Sequence, residues 1–94
     1  MTPLQRKQLI EERLKQLNPL QLTLLDESHQ HVGHPGAATG ASHFHLTIMS
    51  AAFLGLSLVK RHQLIYQLLE DLIPHEVHAL KITAQLPYLN AKTV

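Results

Sequence analysis

The alternation of hydrophobic and polar positions along the chain predicts two helices and three strands in the order α-β-β-α-β. A first helix is indicated after Thr2, because Thr2 and Gln5 can form a capping box and apolar residues then recur at helical spacing. The helix ends at Asn18, because the following proline disfavours helical geometry in the residue before it. Residues 20–24 alternate leucine with glutamine or threonine, which is the period of a half-buried strand.

A second strand is predicted over residues 44–49, where apolar and polar side chains alternate again, and it should pair antiparallel with the first. The two strands are joined by Glu27 to Ser42, a loop of about sixteen residues that contains three glycines. Loops of this length inside small domains are usually functional or disordered, and we interpret this one as functional. A short helical turn is predicted near residues 51–54.

A second helix is predicted from Ser57, a favourable N-cap, to about Ile73, because Pro74 follows and ends it. One face of this helix is predicted to be apolar and to pack on the core. That face comprises Leu58, His62, Ile65, Leu69 and Leu72.

A third strand is predicted over residues 77–84, which alternate in the same way as the first two. A regular alternation puts His78 on the same face as Leu80 and Ile82. His78 therefore has an ordinary explanation as a half-buried structural histidine.

The composition is that of one small globular domain: 94 residues, 45% hydrophobic and 16% charged. We expect a core over about residues 3–86 and a flexible C-terminal tail. Because there is no cysteine, no signal-peptide pattern and no apolar run of bilayer length, a cytoplasmic protein without a membrane partner is expected. The net charge of +1 is far from the strongly basic balance typical of nucleic-acid-binding domains.

Histidine is the unusual feature of the composition, with eight histidines against no cysteine. Three of them, His29, His31 and His34, lie in the long loop between the first two strands. Imidazole is the commonest metal ligand in proteins, so the chain can offer nitrogen ligands but no thiolates. A structural zinc site on these three residues is not favoured. Their spacing is not that of a structural zinc module, and such modules usually complete their tetrahedral coordination with cysteines.

Five short motifs, in this order, resemble the BolA family. They are Asp26-Glu27-Ser28, Ser42-His43-Phe44, Phe53-Leu54-Gly55, Arg61-His62-Gln63-Leu64-Ile65-Tyr66 and Val77-His78-Ala79-Leu80. The resemblance spans about residues 4–86. It implies a class II KH-like α/β fold of the α+β kind, with a three-stranded mixed sheet and helices packed on one side, in agreement with the predicted element order.

The resemblance also implies an adaptor that binds a monothiol glutaredoxin and shares a [2Fe-2S] cluster with it, for iron-sulfur cluster trafficking or iron sensing. Two histidines can replace two thiolates on one iron of such a cluster, as in Rieske centres. By the resemblance these are His78 and His31, with His34 and His29 as alternatives, while the glutaredoxin supplies its active-site cysteine and a bound glutathione. The isolated chain is expected to hold no cofactor and to be a monomer or a weak homodimer.

The alternative function is a DNA-binding transcriptional regulator of stress response and cell morphology. Its candidate DNA contacts are Lys60, Arg61 and Lys81, although a solvated helix face is the favoured explanation of Lys60 and Arg61. No glycine-rich phosphate loop, nucleophile elbow or paired-carboxylate motif is present, so we expect no enzymatic activity.

The remaining histidines near these motifs have structural explanations. His62, on the apolar face of the second helix, is expected to be a hydrogen-bonded core residue rather than a ligand. His43 and His45 flank Phe44 on the outer face of the second strand, where hydrogen bonding or solvation is expected.

Overall fold

The computed structural model describes residues 1–28 and 42–87. Two α-helices and three strands follow each other in the predicted order: α1 (Pro3–Leu14), β1 (Gln21–Asp26), β2 (Ser42–Met49), α2 (Leu58–Leu68) and β3 (Val77–Gln85). In the sheet, β2 lies in the centre, antiparallel to β1 and parallel to β3. The predicted mixed three-stranded sheet and the predicted antiparallel pairing of the first two strands are confirmed. The predicted C-terminal tail falls mostly on residues 88–94, outside the described residues.

The first helix begins where the sequence predicted, but α1 ends at Leu14, and a 3-10 turn continues the helical stretch to Leu17, just before Asn18. Both hydrogen bonds of the capping box are present: the Gln5 backbone N–H donates to the Thr2 hydroxyl at 3.1 Å, and the Thr2 N–H donates to the Gln5 side chain at 2.8 Å. A 3-10 turn over Lys15–Leu17 follows α1, and Asn18 then takes a left-handed conformation with φ of 46°. Asparagine tolerates that conformation better than most residues, so it turns the chain towards β1.

The second helix is shorter than predicted. Ser57 caps its N-terminus as expected, but α2 ends at Leu68 instead of continuing to Ile73. Leu72 is nevertheless buried, because the backbone turns after the helix, with a bond from the Leu72 N–H to the Leu69 carbonyl. A second correction concerns Leu58, which is 63% exposed and lies outside the apolar face to which it was assigned.

The hydrophobic core fills the space between one face of the sheet and the two helices. It comprises Ile10, Leu14, Leu17, Leu24, Phe44, Leu46, Ile48, Phe53, Ile65, Leu69, Leu72, Val77 and Ala84. Full burial of a side chain of this size contributes about 1.5–3 kcal/mol, so this cluster is the main source of stability. Phe53 belongs to the 3-10 turn Ala51–Phe53, which confirms the helical turn predicted there. Among the described residues, neither helix is long and apolar enough to cross a membrane.

Candidate functional site

His78 lies at an irregularity near the start of β3. Ser42 is the register partner of Val77, whereas the next residue of β2, His43, is the partner of Ala79. His78 is therefore an extra residue in β3 with no register partner in β2, which is the definition of a β-bulge. A bulge bends the strand and changes the direction of the side chains around it.

The bulge overturns the predicted facing of His78. Leu80 and Ile82 pack against the core, as the alternation indicated, but His78 is exposed rather than half-buried beside them. One extra residue reverses the alternation of a strand, so the residues before and after the bulge no longer follow a single period of two. The interpretation of His78 as a half-buried structural histidine is therefore wrong.

The imidazoles of His78 and His43 lie against each other. Their ring centroids are 5.0 Å apart and the two ring planes are inclined by 45°. His43 is partly buried on the outer face of β2. His45, two residues along that face, has its Nε2 3.3 Å from the Thr83 hydroxyl, a hydrogen bond consistent with the expectation for this residue.

The two ends of the long loop converge beside this pair of rings. At the first end of the loop, the Glu27 N–H donates to the His43 carbonyl at 2.8 Å, and the Ser28 hydroxyl accepts from the His43 N–H at 3.0 Å. A further contact crosses the sheet, where Lys81 Nζ lies 3.5 Å from a Glu27 carboxylate oxygen. The loop therefore departs from Ser28 and returns at Ser42 next to the bulge. The predicted loop ligands His29, His31 and His34 lie outside the described residues.

The donor set offered by the described residues is incomplete for a metal ion. Within residues 1–28 and 42–87, no group of three or more His, Cys, Asp or Glu side chains is placed to hold one. An exposed imidazole with a neighbouring imidazole is chemically suited to a site whose other ligands come from elsewhere, since iron-sulfur clusters accept histidine in place of cysteine. Residues 1–28 and 42–87 therefore contain no complete metal site, and a metal held by His78 would need further ligands from elsewhere.

Two of the three candidate DNA contacts are engaged within the protein. Lys60 is exposed near the start of α2, but the Arg61 guanidinium is engaged with the backbone, donating to the Leu56 carbonyl at 3.0 Å and the Ala84 carbonyl at 3.1 Å. Lys81 lies in β3 and pairs with Glu27 across the sheet. Arg61 thus joins α2 to β3, a structural role that its position in the sequence did not indicate.

His62 is partly exposed on α2, in contrast to the fully buried Ile65 three residues later. The sequence placed both residues on the apolar face, and that face holds for Ile65. His62 is only partly buried, so the expectation of a core residue does not hold for it.

Comparison with known proteins agrees with this architecture. A family model described as BolA-like protein matches residues 10–88. The chain is 50% identical over 84 residues to SufE-like protein 1, chloroplastic/mitochondrial, of Arabidopsis thaliana, covering 83% of this chain and 23% of that protein. It is 40% identical over 77 residues to the DNA-binding transcriptional regulator BolA of Haemophilus influenzae, covering 81% of this chain and 72% of that protein.

Solved structures give the same result. The BolA domain of SufE1 from Arabidopsis thaliana superimposes with a TM-score of 0.78 at 47% identity, covering 89% of this chain and 94% of that domain. BolA1 from the same plant gives 0.74 at 33% identity, with 95% and 96% covered. Some relatives are much longer: the chain spans about a quarter of SufE-like protein 1 and half of the chloroplastic protein BOLA1.

Proposed function

The chain belongs to the BolA-like family, and on that basis we propose that it is a non-enzymatic adaptor that binds a monothiol glutaredoxin and shares a [2Fe-2S] cluster with it. The observation that carries the proposal is the position of His78. Its imidazole is exposed on a β-bulge, 5.0 Å from the ring of His43 and beside both ends of a histidine-rich loop. We propose cluster trafficking or iron sensing as the role of the complex.

Covalent reach supports a loop histidine as the second ligand. Ser28 is hydrogen-bonded to the backbone of His43, whose ring contacts His78. One residue extends the chain by at most about 3.6 Å, so three residues of chain, the separation of His31 from Ser28 in the sequence, span at most about 11 Å. His31 is therefore tied to the neighbourhood of His78 by three residues of chain, and His34 by six.

Ligand chemistry supports a partner that brings thiolates. The chain has no cysteine, so His78 and one loop histidine would fill two of the four protein ligand positions of the cluster. In the proposal, the glutaredoxin cysteine and its glutathione fill the other two. The cluster itself supplies the iron and sulfide to be delivered or sensed, while the chain binds the partner and holds two neutral imidazoles at its edge.

Co-expression with a monothiol glutaredoxin tests the proposal. We expect a coloured heterodimer whose visible absorption and circular dichroism differ from those of the glutaredoxin alone, and a colourless protein when this chain is purified by itself. The control is the sum of the spectra of the two separately purified proteins. A mixture whose spectrum equals that sum would exclude the adaptor role for this pair.

A DNA-binding role is the second candidate, because the Haemophilus influenzae relative is named a DNA-binding transcriptional regulator. Lys60 is the exposed cation best placed to contact phosphate, since Arg61 is held by two backbone carbonyls. We expect affinity for duplex DNA to fall by about 0.9 log unit per phosphate contact for each log unit of salt. Lys60→Glu should abolish binding, whereas Lys15→Glu, a charge reversal at an exposed lysine of the 3-10 turn after α1, should not. Salt-independent binding would exclude phosphate contacts by Lys60.

A further inference from the structure

We propose that Arg6 is a positioning residue that fixes the start of β3 against the start of β2 and thereby holds His78 beside His43. The expected effect on a shared cluster rests on the proposed function, whereas the placement of His78 by Arg6 does not. The Arg6 guanidinium donates from Nε to a Glu76 carboxylate oxygen at 3.2 Å and from Nη1 to the Ser42 hydroxyl at 3.0 Å. One side chain of α1 thus binds a residue of each of the two strand starts.

The two partners of Arg6 stand next to the two imidazoles in the sequence. Ser42 directly precedes His43, and Glu76 is two residues before His78. Ser42 and Val77 form the last register pair before the bulge, so the Arg6 contacts lie where the ladder becomes irregular. A bulge weakens the local pairing of two strands. Side-chain contacts on either side of it therefore have more influence on the relative position of the strands than they would in a regular ladder.

The burial of these groups makes the Arg6 contacts specific. The Arg6 side chain is only 14% exposed and Ser42 is 2% exposed, whereas Glu76 is 40% exposed. Hydrogen bonds from a cation are stronger than neutral ones, and exclusion of water increases that difference. The rigid fork of a guanidinium can reach two separate acceptors at once, which the single ammonium of lysine does less well. Loss of Arg6 would leave the buried Ser42 hydroxyl without this donor and the start of β3 without this anchor.

A second arginine of the same helix provides a matched control. Arg13 lies two helical turns after Arg6 and donates to both carboxylate oxygens of Asp71, at 2.6 and 2.8 Å, and to the Leu68 carbonyl at 3.0 Å. These contacts tie α1 to the end of α2 and the turn after it, and they touch neither strand start. Removal of Arg13 therefore costs a comparable set of bonds without loosening the surroundings of His78.

The first experiment measures geometry in the isolated protein. We compare Arg6→Met with Arg13→Met by NMR at a temperature where both variants are folded, and record the nuclear Overhauser effect between the ring protons of His43 and His78. We expect this signal in the wild type and in Arg13→Met, and its loss or marked weakening in Arg6→Met. An unchanged signal in Arg6→Met would overturn the proposal.

The second experiment measures the consequence in the mixture with a monothiol glutaredoxin. Arg6→Met should shorten the half-life of the shared cluster by about tenfold and change its visible circular dichroism; the reference for this figure is the low end of the loss in metal affinity when a side chain that orients a metal ligand is removed. Arg13→Met should leave both unchanged. Equal half-lives in the two variants would contradict the positioning role. If the wild-type mixture holds no cluster, the proposed function fails, and the NMR comparison still decides the role of Arg6.

Variants of Glu76 keep the test decisive if Arg6→Met does not fold. Glu76→Gln retains an oxygen that can accept from Arg6 Nε, whereas Glu76→Ala removes the acceptor at a partly exposed position. We expect Glu76→Gln to preserve the ring-to-ring signal and Glu76→Ala to weaken it. A signal that is equal in these two variants would show that the Arg6 contact does not position His78.

Discussion

Replacement of His78 by alanine should remove a cluster ligand with little effect on the fold. The His78 side chain is exposed, and among the described residues it has no hydrogen bond and a single ring contact, with His43. The bulge at this position is a feature of the backbone register and does not require an imidazole. We therefore expect the variant to be folded but unable to complete the shared site.

The size of the stability change follows from these contacts. Exposed substitutions usually change the free energy of unfolding by no more than about 0.5 kcal/mol. Because His78 is exposed, we take the low end of the value of a ring contact, about 0.5 kcal/mol, which raises the expected loss to about 1 kcal/mol. For a domain of this size, that loss lowers the midpoint of thermal unfolding by no more than about 4–8 °C. By contrast, Ile65→Ala empties a fully buried position of α2 and should cost about 2–5 kcal/mol.

Two measurements on the same variants test this reasoning. Thermal unfolding followed by far-ultraviolet circular dichroism gives stability, and the decay of visible absorption in the glutaredoxin mixture gives cluster half-life. His75→Ala is the matched control, because His75 is also exposed and lies three residues earlier, in the turn before β3. His78→Ala should shorten the half-life sharply while His75→Ala leaves it unchanged. If His78→Ala instead unfolds the protein and the remaining folded fraction keeps a normal cluster, His78 is structural and the ligand assignment is wrong.

Two further predictions concern the loop and an ion pair. His31→Ala should shorten the cluster half-life more than the same change at His29 or His34, and equal half-lives would mean that no single loop histidine is the ligand. Since a ligating imidazole must be unprotonated, the complex should also lose its cluster faster as the pH falls. The hydrogen bonds from Arg13 lower the pKa of Asp71 to about 2, so its carboxylate stabilises the folded state at neutral pH, and this contribution is lost as the pH falls through about 2. The difference in urea midpoint between the wild type and Asp71→Asn should therefore be largest above about pH 4 and vanish only below about pH 2, and a difference independent of pH would refute it.

Local signals determined the elements that depend on neighbouring residues. The capping box of Thr2 and Gln5, the end of the helical stretch before Asn18-Pro19 and the Ser57 cap all appear in the structure as the sequence indicated. Each involves hydrogen bonds or steric restrictions within about four residues, so the residue types suffice to predict them. The alternation along the first two strands likewise predicted which face of the sheet each side chain lies on, because the pairing of these two strands contains no bulge.

The end of α2 shows that a periodic hydrophobic pattern does not by itself determine the backbone conformation. Leu69 and Leu72 are buried at the spacing that a continuing helix would give, yet the helix stops at Leu68 and a series of turns carries both side chains into the core. A hydrophobic pattern reports burial, and burial is compatible with more than one backbone path. The Val77 N–H donates to the Leu72 carbonyl at the point where the chain enters β3, and this tertiary contact selects one of those backbone paths.

By itself the sequence determined the family, the order of helices and strands, and His78 as the residue of interest. Only the tertiary structure decided that His78 is exposed, that its ring meets that of His43, and that Arg6 connects the two strand starts. The physical reason is that strand pairing joins residues far apart in the sequence. A register between β2 and β3 that shifts by one residue leaves no local signal, although it reverses the face on which every preceding side chain lies.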